Sequence, residues 1–129
     1  MYNNHMLLND KQIKYIDHVL KKLSTSSFRS HFHLRKYMIS YIDQKGLNVI
    51  EEHARSFLIK NLKVYNPGKD GHQTPTKNHP VFIAQHACAC CCRGCLEKWH
   101  HIPKNRDLED REILYLTALI MEWIKREYE

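Results

Sequence analysis

Apolar residues recur along much of this chain at intervals of three and four, the spacing that puts side chains on one face of a helix. Ile13, Ile16, Val19, Leu20 and Leu23 keep that spacing over residues 10–23, and Asn9 or Asp10 is placed to cap the start. Tyr37, Met38, Tyr41 and Ile42 predict a helix over 35–45, which Gly46 is suited to end. Leu47, Ile50, Ala54, Phe57, Leu58 and Leu62 share a face from 47 to 62, with Glu51, Glu52, Arg55 and Lys60 on the other. Ile113, Leu116, Ile120, Trp123 and Ile124 predict a last helix over about 109–127, and Glu109, Asp110 and Glu112 suit its positive N-terminus.

Elsewhere the pattern changes. Ser24-Thr25-Ser26-Ser27 reads as a hinge or capping segment, and Phe28 to Leu34 alternates apolar and polar residues, so a short extended piece is expected there, with Ser30 as a competing helix cap. From Lys63 to Asn78 periodicity gives way to turn formers, a loop of about 16 residues, long enough to suggest a function. Pro80 suits the first turn of a helix over 80–88 that buries Val81, Phe82 and Ile83. Cys91 to Leu96 begins another turn or helix, and in the loop after it Asn105 is able to take a positive φ. No strand after residue 34 is convincing. The expected fold is mainly α: a single compact helical domain with a long basic loop and a Cys/His-rich short-helix segment, residues 27–129, preceded by an N-terminal helical extension, 1–26.

Composition narrows the class. With 43% apolar and 26% charged residues in 129, the chain has the make-up of a soluble globular domain, and no apolar run reaches the roughly 18 to 20 residues a membrane span needs. Met1 to His5 lacks a basic region followed by an apolar one, so a cytoplasmic protein is expected. All five cysteines fall within 88–95, which argues against a disulfide framework and for reduced thiols or thiolate ligands. The formal charge of +6 is uneven: residues 1–62 and 63–106 each carry +5, and 107–129 carry −4. A basic body with an acidic last helix is compatible with a polyanion partner.

The stretch 79–101 holds every cysteine, four of the ten histidines and one of the two tryptophans, so chemistry is expected there. Cys92 and Cys95 have the spacing that lets two thiolates reach one tetrahedral ion, and His100 stands where a zinc-knuckle pattern has its third ligand. Such a knuckle would put a cysteine at 105, where Asn105 stands, so His86 or His79 would have to complete the set. A second reading is thiol chemistry, with Cys92 or Cys95 lowered in pKa by a helix N-terminus and Arg93. Buried free cysteines packed among helices are the plain alternative. Around the stretch lie Lys69, His72, Gln73, Thr74, Lys77, Arg93, Lys98, Lys104 and Arg106, with Trp99 and Tyr65 as stacking surfaces, a combination suited to nucleic acid or a nucleotide.

Several of these stretches together resemble a known family. Phe28-Arg29-Ser30, Lys45-Gly46-Leu47, Asp70-Gly71, Gln73-Thr74-Pro75, the run from His79 to Ala87, Cys91-Cys92-Arg93-Gly94-Cys95-Leu96-Glu97-Lys98-Trp99-His100, and Ile102-Pro103-Lys104 with Arg106 are similar to the bacterial and phage family DUF4186. The resemblance runs from about residue 28 to the end and implies one domain, but no reaction. In that pattern Thr is usual where this chain has Cys88 and Cys90, and Gly is usual at Asn78, His101 and Asn105. Cys91, Cys92 and Cys95 match it, which favours them as the working thiols.

The expected function is therefore a small zinc-binding module that contacts nucleic acid through a basic face. Cys92, Cys95, His100 and His86 are its first-choice ligands, with Cys91 and His79 in reserve. One alternative is a small hydrolase or nucleotide-processing enzyme using His86, Cys92, Cys95 and His100. Another is a phage or host accessory factor that binds a protein, its cysteines structural.

Overall fold

The long C-terminal helix organises the chain in the computed structural model, which describes residues 8–129. Six helices follow one another there: α1 (Asp10–Ser24), α2 (Lys36–Lys45), α3 (Leu47–Asn61), α4 (Pro80–Ala87), α5 (Arg93–His100) and α6 (Asp110–Tyr128), with no strand among the described residues. The fold is mainly α, as the periodicity predicts. Helix α6 packs against α3, α4 and α1, and α2 lies across α3 and α4. Leu116, Leu119, Ile120 and Ile124 of α6 meet Ile50, Ala54 and Leu58 of α3 and Val81 and Ala84 of α4 in one core.

Helix α1 contributes Ile16, Val19, Leu20 and Leu23 to that same core. Its N-cap is Asn9: Asn9 Oδ1 accepts from the Gln12 N–H at 2.8 Å, and Gln12 Oε1 accepts from the Asn9 N–H at 2.9 Å. The expected boundary at 26/27 thus falls after a helix packed into the domain, and residues 1–7 of the expected extension lie outside the described residues. Ser24 and Thr25 act as the capping segment, their hydroxyls donating to the carbonyls of Lys21 and Lys22.

One local expectation is corrected. Residues 29–31 form a 3-10 turn rather than an extended piece. The Ser26 hydroxyl accepts from the Arg29 N–H and the Ser26 carbonyl accepts from the Ser30 N–H, which winds the chain and turns Arg29 inward. Asn105 does not use the positive φ open to it; among the described non-glycine residues positive φ falls at Asn78 (84°), Ala89 (56°) and His101 (58°). His101 is where α5 must stop abruptly so that Ile102, 6% exposed, can enter the core. Gly46 does end α2, with φ 86° and ψ 150°, a conformation essentially reserved for glycine.

Candidate metal centre

The end of α4 sets the geometry of the cysteine segment. Ala89, buried and left-handed, reverses the chain after Cys88, and the Cys90 N–H is returned to the Gln85 carbonyl at 2.8 Å. The reversal sends Cys88 and Cys90 into the core and leaves Cys91, Cys92 and Cys95 together at its edge. Cys92 is the N-cap of α5, its sulfur accepting from the Cys95 N–H at 3.4 Å. Cys95 Sγ lies 3.3 Å from Cys92 Sγ and 3.7 Å from Cys91 Sγ. Among the described residues these three thiols form the group able to hold a metal ion, all three sulfurs within 4.8 Å of one another.

The 63–78 loop is stitched onto α5. Asp70 Oδ1 accepts from the Gly94 N–H at 2.8 Å, Gln73 Oε1 from the Arg93 N–H at 2.9 Å, and the Thr74 hydroxyl donates to the Cys91 carbonyl at 2.6 Å. With the Cys95 N–H on Cys92, the exposed donors of the helix's first turn are thereby occupied. Gly94 is required for this closeness, since a Cβ there would stand 3.1 Å from an Asp70 carboxylate oxygen.

Arg29 is the member of the site that spacing within 79–101 does not reveal. Its side chain is buried, with Nη1 donating to the His86 carbonyl at 2.7 Å and reaching Cys91 Sγ at 3.6 Å, while Nη2 reaches Cys95 Sγ at 3.1 Å. Burial by itself would lower its pKa; the sulfurs of Cys91 and Cys95 more than reverse this. No carboxylate pairs with it among the described residues. Arg93, also buried, shows how the terminal nitrogens of a guanidinium are met by neutral groups alone: they donate to four carbonyls, of Leu62, Lys63, Pro103 and Arg106. Arg29 has one carbonyl, and its remaining acceptors are sulfurs, which accept weakly when protonated. Negative charge on the sulfur cluster is what would balance it.

The expected histidines go elsewhere. His100 is buried, Nε2 on the Cys88 carbonyl at 2.8 Å and Nδ1 on the Tyr115 hydroxyl at 3.1 Å, and burial lowers its pKa. His86 Nε2 meets the Pro75 carbonyl at 2.9 Å, its ring stacked on Phe32. His79 caps α4 through Nδ1, which accepts from the Val81 N–H. The constellation His86, Cys92, Cys95, His100 is not brought together; Cys92 and Cys95 are joined instead by Cys91 and Arg29.

The expected phosphate-contacting set also divides. Arg93 and Thr74 are turned into the protein, and Gln73 is held by Arg93 and Asn61. Trp99 packs against the core, Lys104 pairs with Asp70, and Arg106 forms a two-pronged pair with Glu112 at 2.8 Å. Lys69, His72, Lys77 and Lys98 are exposed, as is Tyr65.

The chain is thus, over its described residues, a helical domain with a three-cysteine cluster at the edge of its core, backed by a buried arginine. It belongs to the family described as a domain of unknown function, DUF4186, whose model matches residues 17–125. No solved structure matches it. No helix among the described residues is long and apolar enough to cross a membrane.

Proposed function

We propose that the protein is a metal-binding module in which Cys91, Cys92 and Cys95 hold one zinc ion as thiolates, with Arg29 balancing the charge. The observation that carries this is the buried Arg29 guanidinium donating to two of the three sulfurs. Three thiolates and a divalent ion sum to one negative charge, which the guanidinium cancels in a site largely withdrawn from water. Without a cation the three sulfurs compete for one negative charge. The Cys91 thiol is accordingly pushed up, first by its hydrogen bond to Cys92 and then by burial, against the opposing effects of Cys95 and Arg29.

Thiolates about 2.3 Å from a tetrahedral zinc lie about 3.8 Å apart; the Cys91 to Cys95 separation of 3.7 Å is close to this, and Cys92 to Cys95, at 3.3 Å, would open slightly on binding. Thiolates also gain from the positive end of α5 beneath them. Three protein ligands leave a fourth position to solvent or a further ligand, as in zinc sites that do chemistry. The ion there would act as a Lewis acid; Arg29 would stabilise the thiolates, and the Asp70, Gln73 and Thr74 contacts would hold the cysteine segment in place.

The test is metal analysis of protein purified without chelator. About one equivalent of zinc is expected in the wild type and in Cys88→Ala, and well under half an equivalent in Cys95→Ser and in Arg29→Met, with helicity by circular dichroism retained. A metal-free wild type, or equal loss in Cys88→Ala and Cys95→Ser, would contradict the reading. In that event a metal-free cluster of thiols around Arg29 remains.

A further inference from the structure

Between the 63–78 loop and the end of α3 is a cleft of about 270 Å³ that no cysteine lines. Lys60 and Asn61 form one wall, Asn66, Lys69, His72 and Gln73 the other, and Val64 is its one apolar side chain. The loop's turns fix this arrangement. The Asn66 carbonyl accepts from the Lys69 N–H and the Lys69 carbonyl from the His72 N–H, which sets Lys69 and His72 three residues apart facing one space. Gln73 makes a rigid back wall, since its amide is tied at both ends, to Asn61 and to Arg93.

The charge in the cleft is unbalanced. No carboxylate lines it, and Lys60, Lys69 and His72 have no side-chain partner among the described residues. The contrast with Lys21, Lys104, Arg106, Arg111 and Arg126, all paired with carboxylates, is direct. Asp70, the loop's carboxylate, is taken up by the Gly94 N–H and Lys104 and does not line the cleft. Two lysines, a histidine and amide side chains converging without a counter-ion are what a phosphate dianion requires.

We propose that this cleft binds the terminal phosphate of a small phosphomonoester. At about 270 Å³ it falls just below the size of pockets that enclose a whole drug-sized ligand, roughly 300 to 1,000 Å³, so it takes the phosphate and leaves the rest of the molecule at its mouth. A nucleic-acid strand would need a track running on in both directions. Lys77 and Lys98, the other exposed cations of the region, do not line the cleft. None of the cleft's lining residues contributes a sulfur to the cluster, and Gln73 links the two through the Arg93 N–H.

The experiment is titration of the full chain, as purified, with inorganic phosphate, with adenosine 5′-monophosphate and with a single-stranded oligonucleotide lacking terminal phosphates, followed by amide chemical shifts. Phosphate and the monophosphate are expected to shift residues of 60–73 to a similar extent. Binding should weaken about tenfold in the Lys60→Gln, Lys69→Gln double variant and stay unchanged in Lys77→Gln. The proposal is overturned if phosphate leaves 60–73 unmoved, if the double variant binds as the wild type does, or if the unphosphorylated oligonucleotide binds at 60–73 more tightly than phosphate.

Discussion

Single residues explain both what the sequence revealed about the site and what it hid. Cys92 and Cys95 are legible because a spacing of three is a local property, and α5 preserves it. Arg29 is not, because it comes to the sulfurs through a 3-10 turn more than sixty positions earlier, and no periodicity marks an inward-turned guanidinium. The histidines mislead for the opposite reason. His79, His86 and His100 stand near the cysteines in sequence, yet each finds a backbone partner that stabilises the fold. Asn78 and His101 are, among the described residues, two of the non-glycine residues held at positive φ. Their strain is testable. His101→Gly should raise unfolding stability by roughly 0.5 to 1 kcal/mol, the left-handed penalty less the added freedom of the unfolded chain, and His101→Val should lower it. Urea denaturation distinguishes the two, and equal midpoints would show that position 101 carries no strain.

Among the elements, α4 couples the fold most closely to solution conditions. Its N-cap is His79, whose Nδ1 can accept the Val81 N–H only while the ring is neutral. The other nitrogen, Nε2, lies 3.1 Å from His53 Nδ1, so the neutral ring donates there, within a group of Tyr41, Phe57 and Phe82. Burial, with the neighbouring His53 adding to it, lowers the His79 pKa from 6.5 to about 4. Between these values the unfolded chain takes up a proton that the folded chain refuses, so stability present above about pH 6.5 is lost as pH falls towards 4. His100, also lowered, adds to the same slope. His79→Asn keeps a capping oxygen and removes the titration. Its stability between pH 7 and 4.5 should fall less steeply than the wild type's, whatever it loses in packing, and an unchanged slope would contradict the assignment. The helices themselves are legible in the sequence because amphipathic spacing is strong in α1, α3 and α6. The 29–31 turn is not, because the Ser26 hydroxyl and carbonyl, accepting from the Arg29 and Ser30 N–H groups, outweigh the alternation over 28–34.

For the whole molecule, the basic loop proves to be a strap rather than an open arm. Asp70, Gln73 and Thr74 bind it to α5, and Arg93 ties α5 in turn to the backbone at 62–63, 103 and 106. Composition showed the loop's charge; only the fold shows which cations remain free and which are consumed. The same strap contacts the cysteine segment through Thr74 and lines the Lys60, Lys69, His72 cleft. The central claim, that Cys91, Cys92 and Cys95 are ligands of one ion beside Arg29, is tested most directly by X-ray absorption at the zinc edge of the purified protein. Three sulfur neighbours at about 2.3 Å and one lighter neighbour are predicted; a shell of nitrogen and oxygen alone would contradict it.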